Sequence, residues 1–141
     1  MTPKPARLPG RAEGRRALGS RGEQAAAAWY RDAGYQLLSA NWRCPEGELD
    51  LVLSGPDGEP IVFCEVKTRT TARFGTGFEA VTAAKQRRLR LLATRWLADQ
   101  RRRGAIGRTG TRVVPRVRFD VASVTPGRGG EMSVEVMEGA F

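Results

Sequence analysis

The chain has 141 residues, 24 Lys and Arg against 15 Asp and Glu, a formal net charge of +9, two Cys and no His. That length suits one domain and requires no disulfide or structural metal to hold it together. The missing His excludes His-based general bases, His-containing zinc sites and the Ser–His–Asp triad.

Residues 1–16 carry three Pro and several Arg and read as a flexible basic tail ahead of a domain over 17–141. The tail lacks an apolar core, and no segment reaches the length of a membrane span, so a cytoplasmic protein is expected. Ser20 to Ala33 reads as a helix, with Ser20 and Glu23 at capping-box spacing and Gly34 as the stop. Ala25, Ala26, Trp29 and Ala33 supply its apolar face. Tyr35 to Ser39 could be extended. Leu49–Leu53 and Ile61–Lys67 read as strands joined by the turn Pro56–Glu59. Cys64 lies in an apolar run, as a buried small hydrophobe would.

Residues 68–78 read as a loop in which Gly75 and Gly77 could bend around a substrate. A second helix is predicted from about Thr82 to Gln100, with Leu89, Leu92, Ala93, Trp96 and Leu97 on one face. A basic Gly-rich loop over 105–111 follows, then strands at Val117–Val124 and Met132–Met137. Asp120 is given a sheet-edge or structural role, and Trp42 either touches nucleic acid or covers the core. The pattern is an α/β domain with a mixed sheet and two main helices.

Charge is unevenly placed. Residues 1–21 hold six basic residues and one acid, and 85–118 hold twelve basic residues and one acid. Residues 44–66 hold six acids and no Lys or Arg. Basic arms attract a polyanion, whereas the acidic centre repels it unless a divalent cation intervenes. Nucleic acid is the expected partner. Arg43, Arg88 and the run Arg101, Arg102 and Arg103 are candidate phosphate contacts. A basic helix also suits an anionic membrane, but the spread of Ala, Leu and Trp in this one fits a protein core.

A turn centred on Asp57 and Gly58 places Asp50 opposite Glu65, Val52 opposite Phe63 and Glu48 opposite Lys67, all on one face. Leu49, Leu51, Leu53, Val62, Cys64 and Val66 take the other face, which is expected to be the core side. Two opposed carboxylates repel, and a cation relieves that best. Asp50 and Glu65 are therefore candidate ligands for Mg²⁺ or Mn²⁺, with the backbone carbonyl of Val66 as a further donor. Lys67 could orient a water and offset charge on the transition state. The competing reading is an ion-pair lattice of Glu48, Asp50, Glu65 and Lys67 on a wet sheet face. Arg69, just past that strand, suits either phosphate or plain surface.

The segments Gly22–Glu23, Asn41–Trp42–Arg43, Gly47–Glu48–Leu49–Asp50–Leu51–Val52 and Phe63–Cys64–Glu65–Val66–Lys67–Thr68–Arg69, with Phe74–Gly75, Lys85–Gln86 and Arg118–Phe119–Asp120–Val121, together resemble the YraN-like family (UPF0102). They span nearly all of the chain outside the tail and the far C-terminus. The family looks like a small branch of the restriction-endonuclease-like superfamily and is similar to archaeal Holliday junction resolvases. The resemblance implies a single restriction-endonuclease-like domain with a central mixed sheet flanked by helices. It places the superfamily's metal-binding Asp on Asp50, its acidic Glu on Glu65 and its Lys on Lys67. It also implies that Glu23 approaches the metal site, and that Lys85 and Gln86 sit at the active-site rim to bind phosphate or position water. Leu49 departs from the broad pattern, which has Pro before the Asp. The function so implied is a metal-dependent endonuclease acting on DNA, with branched or damaged DNA as candidate substrates and a homodimer suited to addressing two strands. The alternatives are a noncatalytic nucleic-acid-binding protein and a basic protein-interaction module.

Overall fold

The computed structural model describes residues 11–70, 81–104 and 115–141, with side chains from Gly19 onward. The first ten residues of the basic tail, the loop carrying Gly75 and Gly77, and the loop over 105–111 lie outside the described residues. The elements are helix α1 (Arg11–Asp32), strands β1 (Gln36–Cys44), β2 (Gly47–Ser54) and β3 (Ile61–Thr68), helix α2 (Ala83–Arg102), and strands β4 (Val117–Pro126) and β5 (Met132–Met137).

The sheet is five-stranded in the order β1-β2-β3-β4-β5. Only the β3–β4 pair is parallel, so the sheet is mixed as expected. The β2–β3 register matches the turn geometry, with Val52 opposite Phe63 and Leu53 opposite Val62. A strand at residues 40–44 was not expected. It pairs through Trp42 and Leu49 and closes a second hairpin at Pro45 and Glu46. Polar Asn41 and Arg43 conceal that strand from a hydrophobicity pattern because β1 is an edge and mostly exposed.

Both faces of the sheet are covered, as a sheet flanked by helices requires, which disfavours the competing reading of an ion-pair lattice on a wet face. Leu51, Leu53, Val62, Cys64, Ala122 and Val124 pack with Ala26, Ala27 and Tyr30 of α1. Val52, Ile61, Phe63 and Phe119 pack with Leu92, Ala93 and Trp96 of α2. Leu49 belongs to this second cluster rather than to the α1 side. Gly47 also borders this cluster, where a Cβ would make an ordinary contact of 3.5 Å with Leu92 Cδ1. The buried indole of Trp96 donates to Ser39 Oγ at 3.0 Å, tying α2 to the edge strand. The fold is α/β, a central mixed sheet flanked by helices, as a restriction-endonuclease-like domain requires.

Helix α1 begins at Arg11, so Ser20 is an interior residue and caps nothing. The stop is as expected: Gly34 has φ +91° and its N–H donates to Arg31 at 2.9 Å. Helix α2 starts where the pattern placed it, with Thr82 Oγ1 accepting from the Lys85 N–H at 3.2 Å.

Asp120 is structural but not at an edge, because β4 lies between β3 and β5. It is 1% exposed. Tyr30 donates to its Oδ2 at 2.6 Å, Arg118 to both oxygens at 2.8 and 2.9 Å, and Gly139 N–H to Oδ1 at 3.1 Å. Burial and this acid push the Tyr30 hydroxyl far above its ordinary range. Removing the acid strands a cation and a hydroxyl. In urea titrations Asp120→Ala is expected to cost about 3–5 kcal/mol, and Tyr30→Phe only about 1–2 kcal/mol.

Gly22 lets α1 lie against the end of β3, since a Cβ would overlap Thr68 Oγ1. Replacing a helix-interior Gly by Ala usually stabilises by about 0.5–1 kcal/mol. Here the sign should reverse, and thermal unfolding of Gly22→Ala is expected to show a loss of about 1–3 kcal/mol from overpacking.

Candidate active site

The paired ladder between β2 and β3 runs from Ser54↔Ile61 to Leu51↔Cys64. Beyond it the Val66 N–H donates to the side chain of Asp50, Oδ2, at 2.8 Å. A side chain thus takes the place of a strand partner. In a strand the N–H and C=O of one residue point to the same edge, so the Val66 carbonyl faces the same gap.

A cavity of about 220 Å³ opens at this point, with Glu48, Asp50, Glu65, Lys85, Arg88 and Leu89 in its wall. Asp50 and Glu65 are therefore brought together. Burial, and then the charges of Glu23, Glu65 and Glu48, raise the Asp50 carboxyl to about 6, against the lowering effect of the Val66 N–H. Glu65 has one oxygen on Lys85 Nζ. Its other oxygen is buried and has no hydrogen-bond partner among the described residues. The cation beside Glu65 is that of Lys85, not Lys67 as the opposed-strand reading supposed. Lys85 reaches across because α2 covers this face of the sheet.

Glu23 approaches from α1. Burial raises its carboxyl, a hydrogen bond from Asn41 opposes this, and the charge of Glu48 adds to it. It lines a separate hollow between α1 and β1, with Gln24, Arg31 and Asn41. Its charge reaches Asp50, but its side chain is not in the wall of the central cavity. Asn41 holds its place with φ +53°, a conformation Asn tolerates better than most residues.

Other candidates scatter. Lys67 lies on β3 opposite Ser123, outside the cavity wall. Gln86 is also outside it, because its Nε2 donates to the Val81 carbonyl at 2.9 Å. Arg69 follows β3, with its N–H on Val124 at 2.8 Å. Arg43 is exposed and pairs with Glu48 at 3.4 Å. Arg101 and Arg102 close α2, and Arg103 is its C-cap. Arg102 and Arg103 pair with Asp99 at 3.4 and 3.1 Å. At 1.5 Å per residue they stand roughly 25 Å along the helix from Lys85. Sequence reasoning missed the Lys85–Glu65 pair, whose only signal was a lone Lys in a first helical turn without acids.

Among the described residues, no three Cys, Asp or Glu side chains converge as a metal cage. The cavity wall offers the carboxylates of Glu48, Asp50 and Glu65, and the carbonyl edge of Val66 lies at the same gap. No described helix is long and apolar enough to cross a membrane.

Residues 22–124 match the model of the "Uncharacterised protein family UPF0102". This chain belongs to that family. A UPF0102 protein of Frankia casuarinae is 46% identical over 125 residues, 89% of this chain and 96% of its own. One from Rhodococcus opacus is 42% identical over 125 residues, 89% of this chain and 96% of its own. One from Symbiobacterium thermophilum is 44% identical over 126 residues, 89% of this chain and 97% of its own. UPF0102 is the YraN family and is related to the restriction-endonuclease-like superfamily. The solved structure of SfsA from Pyrococcus furiosus, in complex with Ca²⁺, aligns with 88% of this chain at a TM-score of 0.37 and 15% identity. The chain spans 63% of that structure's length, and so weak a likeness decides nothing about the site.

The raised Asp50 carboxyl has a consequence for stability. Its folded value near 6 exceeds the ordinary 3.8, so the folded chain holds the proton more tightly in that window. Stability should then fall as pH rises from about 4 to about 6 and stay lower above. Asp50→Asn keeps an acceptor for Val66 and removes the charge. In metal-free buffer it is expected to be more stable than the parent by about 1–3 kcal/mol at pH 8, with no gain at pH 3.5. Urea midpoints at the two pH values check this.

Proposed function

We propose that this protein is a metal-dependent endonuclease that hydrolyses phosphodiester bonds in DNA, with Asp50 and Glu65 holding its Mg²⁺ or Mn²⁺. The observation that carries the reading is the condition of these two carboxylates. One is raised to about 6, and the other has a buried oxygen without a partner among the described residues. Both conditions are costs for the chain alone. A divalent cation would offset both, favouring the ionised Asp50 and giving the Glu65 oxygen a ligand bond. Two carboxylates fit Mg²⁺, which commonly keeps waters and takes substrate phosphate as its other ligands. The Val66 carbonyl would be a third protein donor.

Such an ion, when bound, lowers the pKa of an attacking water and polarises the phosphate. Asp50 and Glu65 would fix its place at the mouth of the β2–β3 gap. Lys67, on the same strand face as Glu65, would offset charge building on the phosphate oxygens. Glu23 would act on Asp50 through its charge. Lys85, Arg88, Arg43 and Arg69 would hold phosphates near the cavity, while Arg101, Arg102 and Arg103 would meet a more distant part of the same nucleic acid. Gln86, held on Val81, would secure the start of α2. The net charge of +9 and the family's relation to restriction-endonuclease-like proteins support DNA as the partner. A homodimer would present two cavities to two strands of a branched substrate. Among the described residues no three Cys, Asp or Glu converge as a metal cage, and the alternative reading is noncatalytic nucleic-acid binding.

Full-length protein should be tested on end-labelled four-way junction, flap, duplex and single-stranded DNA with Mg²⁺, Mn²⁺ or EDTA. Product is expected with metal only. Asp50→Ala and Lys67→Ala should each reduce it by about 100-fold or more while binding persists. Salt-sensitive binding without product would establish the noncatalytic alternative. Binding to none of these DNAs would remove both readings for DNA.

A further inference from the structure

Lys85 is placed against the needs of its own helix. It stands in the first turn of α2, where no acidic residue lies and where the helix end already carries positive partial charge. Its backbone N–H is taken by the Thr82 cap. Its ammonium is on Glu65, and both side chains are largely withdrawn from water, at 29% and 15% exposure. A buried carboxylate needs a counter-charge, and Lys85 supplies it. The second oxygen of Glu65, a residue of the cavity wall, is buried without a partner among the described residues.

We infer that Lys85 is the resident counter-ion of Glu65, exchanged for a divalent cation when one binds and then released to a substrate phosphate. The inference rests on the metal-ligand reading of Asp50 and Glu65 and adds a regulation to it. A cation on Glu65 and the Lys85 ammonium repel one another at this range. The Lys stem is long and partly exposed, so it can swing aside while the strand-borne carboxylate stays. Arg88 in the same wall adds positive charge and favours movement toward an anion. Lys85 thus keeps the empty site electrically satisfied and weakens its grip on a cation until phosphate gives the ammonium another partner. Cation and nucleic acid would then bind with positive coupling.

Mn²⁺ affinity of the full chain, measured by calorimetry at pH 8 without nucleic acid, tests this. Lys85→Gln should bind Mn²⁺ about tenfold more tightly than the parent, because the competing charge is gone. It should bind phosphate-bearing DNA less well. Lys85→Arg should bind Mn²⁺ more weakly than the parent, because a guanidinium grips a carboxylate at two points. Equal or weaker affinity in Lys85→Gln, with the parent binding normally, would overturn the exchange and leave the metal site standing. If Lys85→Gln does not fold, parent against Lys85→Arg decides, and equal affinities overturn it. No Mn²⁺ binding by the parent, with or without DNA, would remove the metal reading and this inference with it.

Discussion

The hydrogen bond from the Val66 N–H to the Asp50 carboxylate is the constraint on which the site depends. Strands β2 and β3 pair regularly as far as Leu51 and Cys64. Had the ladder continued, the amides of Val66 would have been satisfied by backbone and the gap would not exist. A carboxylate in that position satisfies the N–H while leaving its second oxygen available. It also fixes Asp50 beside Glu65, which no flexible surface pair would do. The N–H lowers the Asp50 pKa, but burial and three neighbouring acids outweigh it. The arrangement is therefore held by packing and backbone geometry against its own electrostatics, the condition expected of a functional rather than a stabilising cluster.

Packing supplies that hold from both sides. The α1 layer grips the sheet through Tyr30, whose hydroxyl reaches Asp120 on β4. The absence of a side chain at Gly22 lets α1 lie close against Thr68 at the end of β3. On the opposite face, Trp96 and Leu92 of α2 fix the start of β2, and the first turn of the same helix delivers Lys85 to Glu65. The cavity lies between α2 and the parting strands β2 and β3. Its residues come from β2, β3 and α2, so no single segment encodes it.

That distribution explains what could be read from sequence. The turn around Asp57 and Gly58 set the β2–β3 register, and the register put Asp50 near Glu65 without any knowledge of the rest. Helix α2 was legible from Leu89, Leu92, Ala93 and Trp96 at helical spacing. The two-sided burial was not, because Val52 and Phe63 alternate with acids and the pattern of a half-wet strand looks the same. The start of α1 was hidden by Pro, Gly and Arg ahead of Ser20, and a plausible cap at Ser20 masked it further. Long-range pairs such as Lys85–Glu65 and Tyr30–Asp120 leave no local trace. Nor does the role of Arg90, which lies over the rings of Phe119 and Phe141 at 5.3 and 5.5 Å and serves packing. Counting basic residues therefore overstates the surface free for phosphate.

The ion pairs around the cavity differ in what they resist. Arg43–Glu48 and Arg95–Glu46 have a strongly exposed Arg, at 78% and 56%. Pairs of that kind contribute about 0–1 kcal/mol and yield readily to a competing phosphate. They cover the acids of the β1–β2 hairpin at little energetic cost to rearrangement. Lys85–Glu65 is different because its carboxylate is withdrawn from water, and losing the Lys without a replacement leaves a buried charge uncompensated. The rim can therefore open to a polyanion independently, whereas the centre changes partner only by exchanging one cation for another. On the proposed reading, an acidic centre ringed by Arg would acquire an order of events from this difference: the outer pairs would give way to phosphate by charge alone, and the inner pair only to a cation.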